Sequence, residues 1–431
     1  MKQSLASRLS CAVEERSGRL ISILRDLVRI PSENTPPIGA EAACQHYVAG
    51  FLREHGWIPE LYELESVPGF TTHPHYRSGR DYNGRPNLVA RKAGAGGGRS
   101  LLLSGHIDTV PRGTQNWTRD PFGAAIENGR LYGRGSNDMK AGIATNLFMA
   151  EVLEDLGLRL RGDLIIETVV DEEFGGTSGT LAGRLKGIRA DAAVVSEPTS
   201  LRVCTAQRGG RTVHITLHSP GGVLSDGRPN AGVIGQLSRL LEGAAQFAVE
   251  RRAGARVSGV FAGCEDPVPV WVTKIVTAPW GTKEPQTVSD ECRVEIYWQL
   301  MPGEEQEAVD REFFAWFERL IASAPELFAV RPEVEFPIRF LPGSALPENE
   351  PVARELKRCA SEVLGEEVPV AGIEGPCDLF LFHNFGIPAV LWGVKGGNTH
   401  AADEYVDLDS AVAAAKSLLA FVGEWCGVAE S

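Results

Sequence analysis

This chain has no paired-cysteine motif. Its eight cysteines, Cys11, Cys44, Cys204, Cys264, Cys292, Cys359, Cys377 and Cys426, are scattered without a single Cys-x-x-Cys. That excludes a thiolate zinc site of the usual spacing and a disulfide framework, and reads as reduced thiols in a cytoplasmic protein. Long apolar runs are also missing: none approaches the roughly 20 residues of a membrane-spanning helix. Glu14, Glu15 and Arg16 interrupt any signal-peptide core near the start. Positive charge is scarce, with 43 Lys and Arg against 56 Asp and Glu and a net charge of −13. General affinity for nucleic acid or an anionic membrane is thereby excluded. There is no internal repeat and no low-complexity tract. What is present is ordinary: 431 residues, 43% hydrophobic and 23% charged, which is enough for two or three domains with a large core.

Leu20, Ile23, Leu24, Leu27 and Val28 recur at helical spacing, and Pro31 ends that helix. A second helix is expected over 40–54. Apolar strands are expected over 87–90, 101–103, 164–170 and 192–195, with helices over 139–156 and 178–185. This alternation implies an α/β domain with helices on both faces of a mostly parallel sheet. Near residue 206 the texture changes to strand, helix, strand, strand, helix, strand (212–217, 231–249, 270–276, 293–300, 304–324 and 333–340), the ferredoxin-like α+β pattern. After Pro342 the α/β texture returns, with helices over 351–364 and 410–425 and a strand over 389–391. The expected architecture is an α/β domain, 1–205 and 341–431, interrupted by an inserted α+β domain, 206–340. The stretch 59–86 is rich in Gly, Pro, His and Tyr and reads as a long solvated loop. Its His73-Pro74-His75 could bind metal, but the loop reading is preferred.

Leu101-Leu102-Leu103 runs into Ser104-Gly105-His106-Ile107-Asp108, a buried strand ending in a small polar turn. Ligands bind at such strand ends in open α/β sheets. His106 suits a divalent metal, and Asp108 can orient it; a surface turn with a chance His and Asp is the plainer alternative. Asp138 stands at a Gly-rich turn opening a helix, where an N-cap would also explain it. Asp171-Glu172-Glu173 closes an apolar strand with three acids in a row, costly unless a cation or protons offset them. Glu197 closes the next strand before Pro198, and His400 lies in a Gly-rich loop near the end of the chain. Each signal is weak alone. Together they place every acid or His at a strand end or helix start of one sheet, which favours a shared site.

The ordered stretches Gly105-His106-Ile107-Asp108-Thr109-Val110-Pro111, Gly133-Arg134-Gly135-Ser136-Asn137-Asp138-Met139-Lys140, Asp171-Glu172-Glu173-Phe174-Gly175, Ser196-Glu197-Pro198-Thr199 and Thr399-His400-Ala401-Ala402-Asp403-Glu404-Tyr405 resemble the dinuclear metallohydrolases related to acetylornithine deacetylase, succinyl-diaminopimelate desuccinylase, aminoacylase and glutamate carboxypeptidase. The resemblance spans nearly the whole chain and extends to Ile30-Pro31-Ser32. It implies one or two divalent ions, zinc first and manganese or cobalt as alternatives. Asp138 would bridge them, with His106 and Glu197 on one and Glu173 and His400 on the other. Asp108 would hold His106. Glu172 would be general base and acid for a water made hydroxide between the ions. The peptide after Asp138 is expected to be cis. The inserted domain is expected to reach over the site as a lid and to form a homodimer.

That domain departs from the family pattern. Val223 stands near the position of a lid His, Gln286 in place of an Asn, and Gln299 in place of an Arg before Leu-Pro-Gly. Trp271, Trp280 and Trp298 read as core aromatics, or else as a wall for a flat substrate. His214 and His218 read as surface residues, although either could stand in for the lid His. Cys377 beside Asp378 reads as a buried, inert thiol. The expected function is metal-dependent hydrolysis of a C–N bond, an N-acyl or carboxypeptidase-like amide, in a small acidic substrate. Hydrolytic deamination of an activated aromatic amine is the alternative enzyme reading. A non-catalytic binding protein is a third, against which Glu172 argues.

Overall fold

The computed structural model describes residues 5–175, 178–219, 222–223, 232–257, 259–277 and 287–429. The chain forms two compact units, one of Met1–Ala206, Ala345–Ile373 and Cys377–Ser431, the other of Gln207–Ser344 and Glu374–Pro376.

The first unit is built on a sheet in which Leu101–His106, buried along its whole length, is central. It lies parallel to Leu164–Val169 on one side and to Ala192–Val195 on the other, and Ala389–Leu391 continues the parallel set. The flanks run the other way. Asn87–Lys92 is antiparallel to Leu164–Val169, Pro59–Tyr62 is antiparallel to Asn87–Lys92, and Val203–Gln207 pairs antiparallel with Ala389–Leu391. The sheet is therefore mixed, not mostly parallel as expected. A parallel neighbour needs a long crossover, normally helical. Helices Ala141–Asp155 and Ser178–Leu185 supply such crossovers between the central strands. No α-helix lies between Pro59–Tyr62 and Asn87–Lys92.

Alternation along the strands buries both faces. Leu101, Leu103, Leu164, Ile166 and Val194 enter the core beneath helices Ala141–Asp155 and Leu408–Cys426. Leu102, Ile165, Ala193 and Val195 enter a second core with Leu379 and Phe382 of the helix Leu379–Asn384. The helix Ala141–Asp155 presses on the exit of the Ala192–Val195 strand: a Cβ added at Gly142 would stand 2.1 Å from the Ser196 carbonyl oxygen. The Asp138–Met139 peptide just before this helix is cis.

The stretch 59–86 is not a solvated loop. Leu64, Phe70 and Tyr82 are buried, as are Arg80 and Arg85. Its aromatics enter the core singly, without helix or strand periodicity, so the burial left no pattern to read. His73 and His75 pack on Phe385 and Phe380, with ring centroids 6.1 and 5.5 Å apart.

The second unit holds a four-stranded antiparallel sheet in the order Val270–Thr277, Glu291–Leu300, Gly209–His218, Glu333–Glu335. With helices Gly232–Gly254 and Gln306–Ala322 it encloses Phe247, Trp298, Phe313 and Trp316. The last strand stops short of the expected 340 because Pro337 offers no ladder donor. Trp298 is a core aromatic, whereas Trp271 is 46% exposed and stacks on Tyr297. Trp280, Gln286 and the side chain of Val223 lie outside the described residues. His214 and His218 face Glu295 and Glu333 at 2.9 and 3.5 Å.

Candidate metal centre

The central parallel strands end on one side and deliver His106, Glu172, Glu173 and Glu197 there, while Asp138 and His400 come from turns of a smaller antiparallel sheet. His106 is the last residue of its strand. Its Nδ1 lies 3.0 Å from the Asp108 carbonyl oxygen. A carbonyl only accepts, so Nδ1 carries the hydrogen and Nε2 is the nitrogen turned to the site. Nε2 stands 3.0 Å from Asp138 Oδ1, 3.8 Å from Glu197 Oε1 and 4.0 Å from Glu172 Oε2. On the far side, His400 Nε2 stands 3.4 Å from Asp138 Oδ2 and 2.8 Å from Glu173 Oε2. Asp138 thus faces both imidazoles, one with each oxygen. Ligand atoms of His106, Asp138 and Glu173 lie within 4.8 Å of one another.

Two carboxylates outside this cluster hold its backbone. The Asp108 carboxylate accepts the backbone N–H of Glu172 on both oxygens and that of Glu173 on Oδ2, all at 3.1 Å. It lies 3.7 Å from His106 Nδ1, so Asp108 contacts the ring more closely through its carbonyl than through its side chain. Glu404 accepts the backbone N–H groups of Gly135, Asn137 and Asp138 at 3.0, 3.0 and 3.1 Å, and Arg134 at 2.6 Å. The segment carrying His400 therefore clamps the turn carrying Asp138. Nothing local in the sequence marks Glu404, whose partners lie 266–270 positions away.

The three acids of 171–173 part company. Asp171 adopts φ +63 and turns into a buried network with Arg80, Tyr82 and Asn34. Glu173 receives the Val110 N–H at 3.3 Å and faces His400. Glu172 faces His106 and lies in the field of Asp378. Asp378 accepts from Thr180 Oγ1 at 2.5 Å, and burial pushes the neighbouring Cys377 thiol well above its usual value.

The electrostatics follow from crowding like charges away from water. Burial, with neighbouring carboxylates, drives Glu172 well above the carboxylate range and Glu197 up to about 8. Burial and then Asp138 raise Glu173. Burial opposes the Asp138 anion too, but hydrogen bonds from His106 and His400 prevail and hold it below its usual value. Burial likewise opposes a charged His400 ring, yet Asp138 and Glu173 raise it to about 11. This donor set of imidazole nitrogens and carboxylate oxygens around excess negative charge fits divalent cations.

A mixed α/β unit carrying such a cluster has the donor set of a divalent-metal site. The chain belongs to Peptidase family M20/M25/M40, whose family model matches residues 102–424. It is 26% identical to the N-formyl-4-amino-5-aminomethyl-2-methylpyrimidine deformylase of Halalkalibacterium halodurans, over 99% of this chain and 98% of that one. It is 34% identical to succinyl-diaminopimelate desuccinylase 2 of a Ruegeria species, over 49% of this chain and 50% of that one. Among solved structures, the di-peptidase Dug1p of Saccharomyces cerevisiae shares the fold, with a TM-score of 0.76 and 14% identity over 99% of both chains. The chain is accordingly a metal-dependent hydrolase of C–N bonds acting on small molecules. No helix among the described residues is long and apolar enough to cross a membrane.

Because imidazole and carboxyl groups in the cluster hold protons near neutral pH, an entering cation must displace them. Zinc added to metal-depleted protein at pH 7 should release protons, and the apparent affinity should rise with pH. Calorimetric titration in two buffers of different ionisation enthalpy measures the proton count. A count of zero would show that the cluster is not where the ion binds.

Proposed function

We propose that this chain hydrolyses a short-acyl amide, of the N-formyl type, whose amine portion is a flat heteroaromatic group. The relation that supports this substrate class is its coverage: likeness to the deformylase runs through 99% of the chain, whereas that to the desuccinylase stops at 49%. Gln299 supports it as well. At the position where the resemblance implies a carboxylate-binding Arg, its Oε1 accepts from Arg208 at 2.7 Å, and its amide donates to the Glu374 carbonyl. A substrate without a free carboxylate suits that arrangement.

The observation that carries the mechanism is the cluster around Asp138. Asp138 would hold the ions together with His106 and Glu197 on one side of it and Glu173 and His400 on the other. Zinc is the metal that best suits these ligands, with manganese and cobalt as alternatives. Bound divalent ions would supply Lewis acidity and an activated water. Glu172, whose carboxylate stands 4.0 Å from the His106 ring, takes the proton of the attacking water and returns it to the leaving nitrogen.

Assaying N-formyl aminomethylpyrimidine, N-acetylornithine and N-succinyl-diaminopimelate side by side should show the highest kcat/KM for the first, with formate as a product. Release of ammonia from the ring would point to deamination; preference for the amino-acid amides would overturn the substrate class.

Glu172→Gln should retain its metal and lose roughly 10²–10⁴-fold in kcat. Glu173→Gln should lose metal. Near-normal kcat in the first, or full metal content in the second, reverses the assigned roles.

The same reading includes a homodimer formed through the second unit. Its strand Val270–Thr277 is a sheet edge carrying exposed Trp271, Ile275 and Val276, a surface that solution proteins ordinarily cover. Light scattering should give twice 46.5 kDa; the mass of one chain excludes the dimer.

A further inference from the structure

Asn34 lies far from the metal cluster in sequence and touches none of its proposed ligands, yet it is wired to the group that holds them. It is completely buried. Its backbone N–H donates to the Thr109 carbonyl at 2.9 Å, while the Thr109 N–H donates to the Ser32 carbonyl at 3.0 Å. This clasp sets the Asn34 side chain beside Asp108. A primary amide has two N–H bonds, and both are used on acids. Nδ2 donates to Asp108 Oδ2 at 2.8 Å and to Asp171 Oδ1 at 3.0 Å. The amide oxygen faces the opposite charge, accepting from Arg80 and, at 3.5 Å, from Arg85. The orientation is therefore forced: the donor end meets two carboxylates and the acceptor end two guanidinium groups.

Asp108 in turn spends its oxygens on the backbone of Glu172 and Glu173, and its carbonyl orients the His106 ring. Rotation of the Asp108 carboxylate would move both peptide planes at once. Asn34 is the side chain that donates to that carboxylate from outside the 172–173 turn. We propose that Asn34 is a positioning residue of this hydrolase: by bridging Asp108 and Asp171 as a neutral donor, it sets the direction in which Glu172 and Glu173 enter the site. The proposal rests on the roles of Glu172 and Glu173 stated above. A neutral amide is required because a carboxylate there would place a third negative charge against two others, whereas an apolar residue would leave Asp108 without its outer donor.

The test uses the full chain loaded with cobalt(II), whose visible spectrum reports ligand geometry. Asn34→Asp should lower cobalt affinity roughly 10–100-fold, the usual range for a partner of metal ligands. At saturating cobalt the spectrum should shift, and kcat on the N-formyl aminomethylpyrimidine should fall with KM little changed. Asn34→Ala should act in the same direction. If the effect runs through Asp108, Asn34→Ala should change affinity and spectrum little further in an Asp108→Ala background. Wild-type affinity and spectrum in both folded Asn34 variants would overturn the proposal, as would full additivity with Asp108→Ala. Failure of both variants to fold would also overturn it, by making Asn34 a folding residue. The underlying reading fails separately: it falls if Glu172→Gln keeps its kcat or Glu173→Gln its metal, whatever Asn34 does.

Discussion

Repulsion among buried carboxylates is the constraint on which the rest of this structure depends. Glu172, Glu173 and Glu197, just past the ends of two strands of the central sheet, meet Asp138, at the turn before a helix, with the His106 and His400 rings among them. Such a group does not hold its own shape. Its geometry comes from acids just outside it. Asp108 and Glu404 take backbone N–H groups and thereby fix the chain on which the inner acids are mounted.

The sheet makes this division possible. Its centre is parallel, so several strands deliver their last residues to one edge, and both faces are covered by apolar cores. Close packing then sets depth. With the Gly142 position against the Ser196 carbonyl, the helix that follows Asp138 lies flush with the exit that leads to Glu197. The antiparallel flank contributes differently. Its long connection folds inward and brings Arg80 and Tyr82 to Asp171, taking one of three consecutive acids out of the site.

Much of this was legible in local pattern. The strand over 101–103, which the structure carries past the expected Ser104-Gly105 turn to His106, the strand over 192–195, the helix over 351–364 and the strand over 389–391 could each be read from an apolar run or periodicity. His106, Asp138 and Glu173, drawn from three separate stretches, do come together. Other features left no local trace. Asn34 meets Asp108 across 74 positions, and Glu404 meets Asp138 across 266.

What the sequence determined by itself was the kind of chemistry: imidazoles and carboxylates beside apolar runs and Gly-rich turns, no paired-cysteine motif and an excess of acidic over basic residues. Those properties belong to residue types and short-range order. The tertiary structure alone decided which way each acid points. Asp171, Glu172 and Glu173 are nearly indistinguishable as a run of letters, but a left-handed backbone at Asp171 and two N–H groups held by Asp108 send them three ways. Direction is a property of the folded backbone, and the partners that set it come from distant parts of the chain.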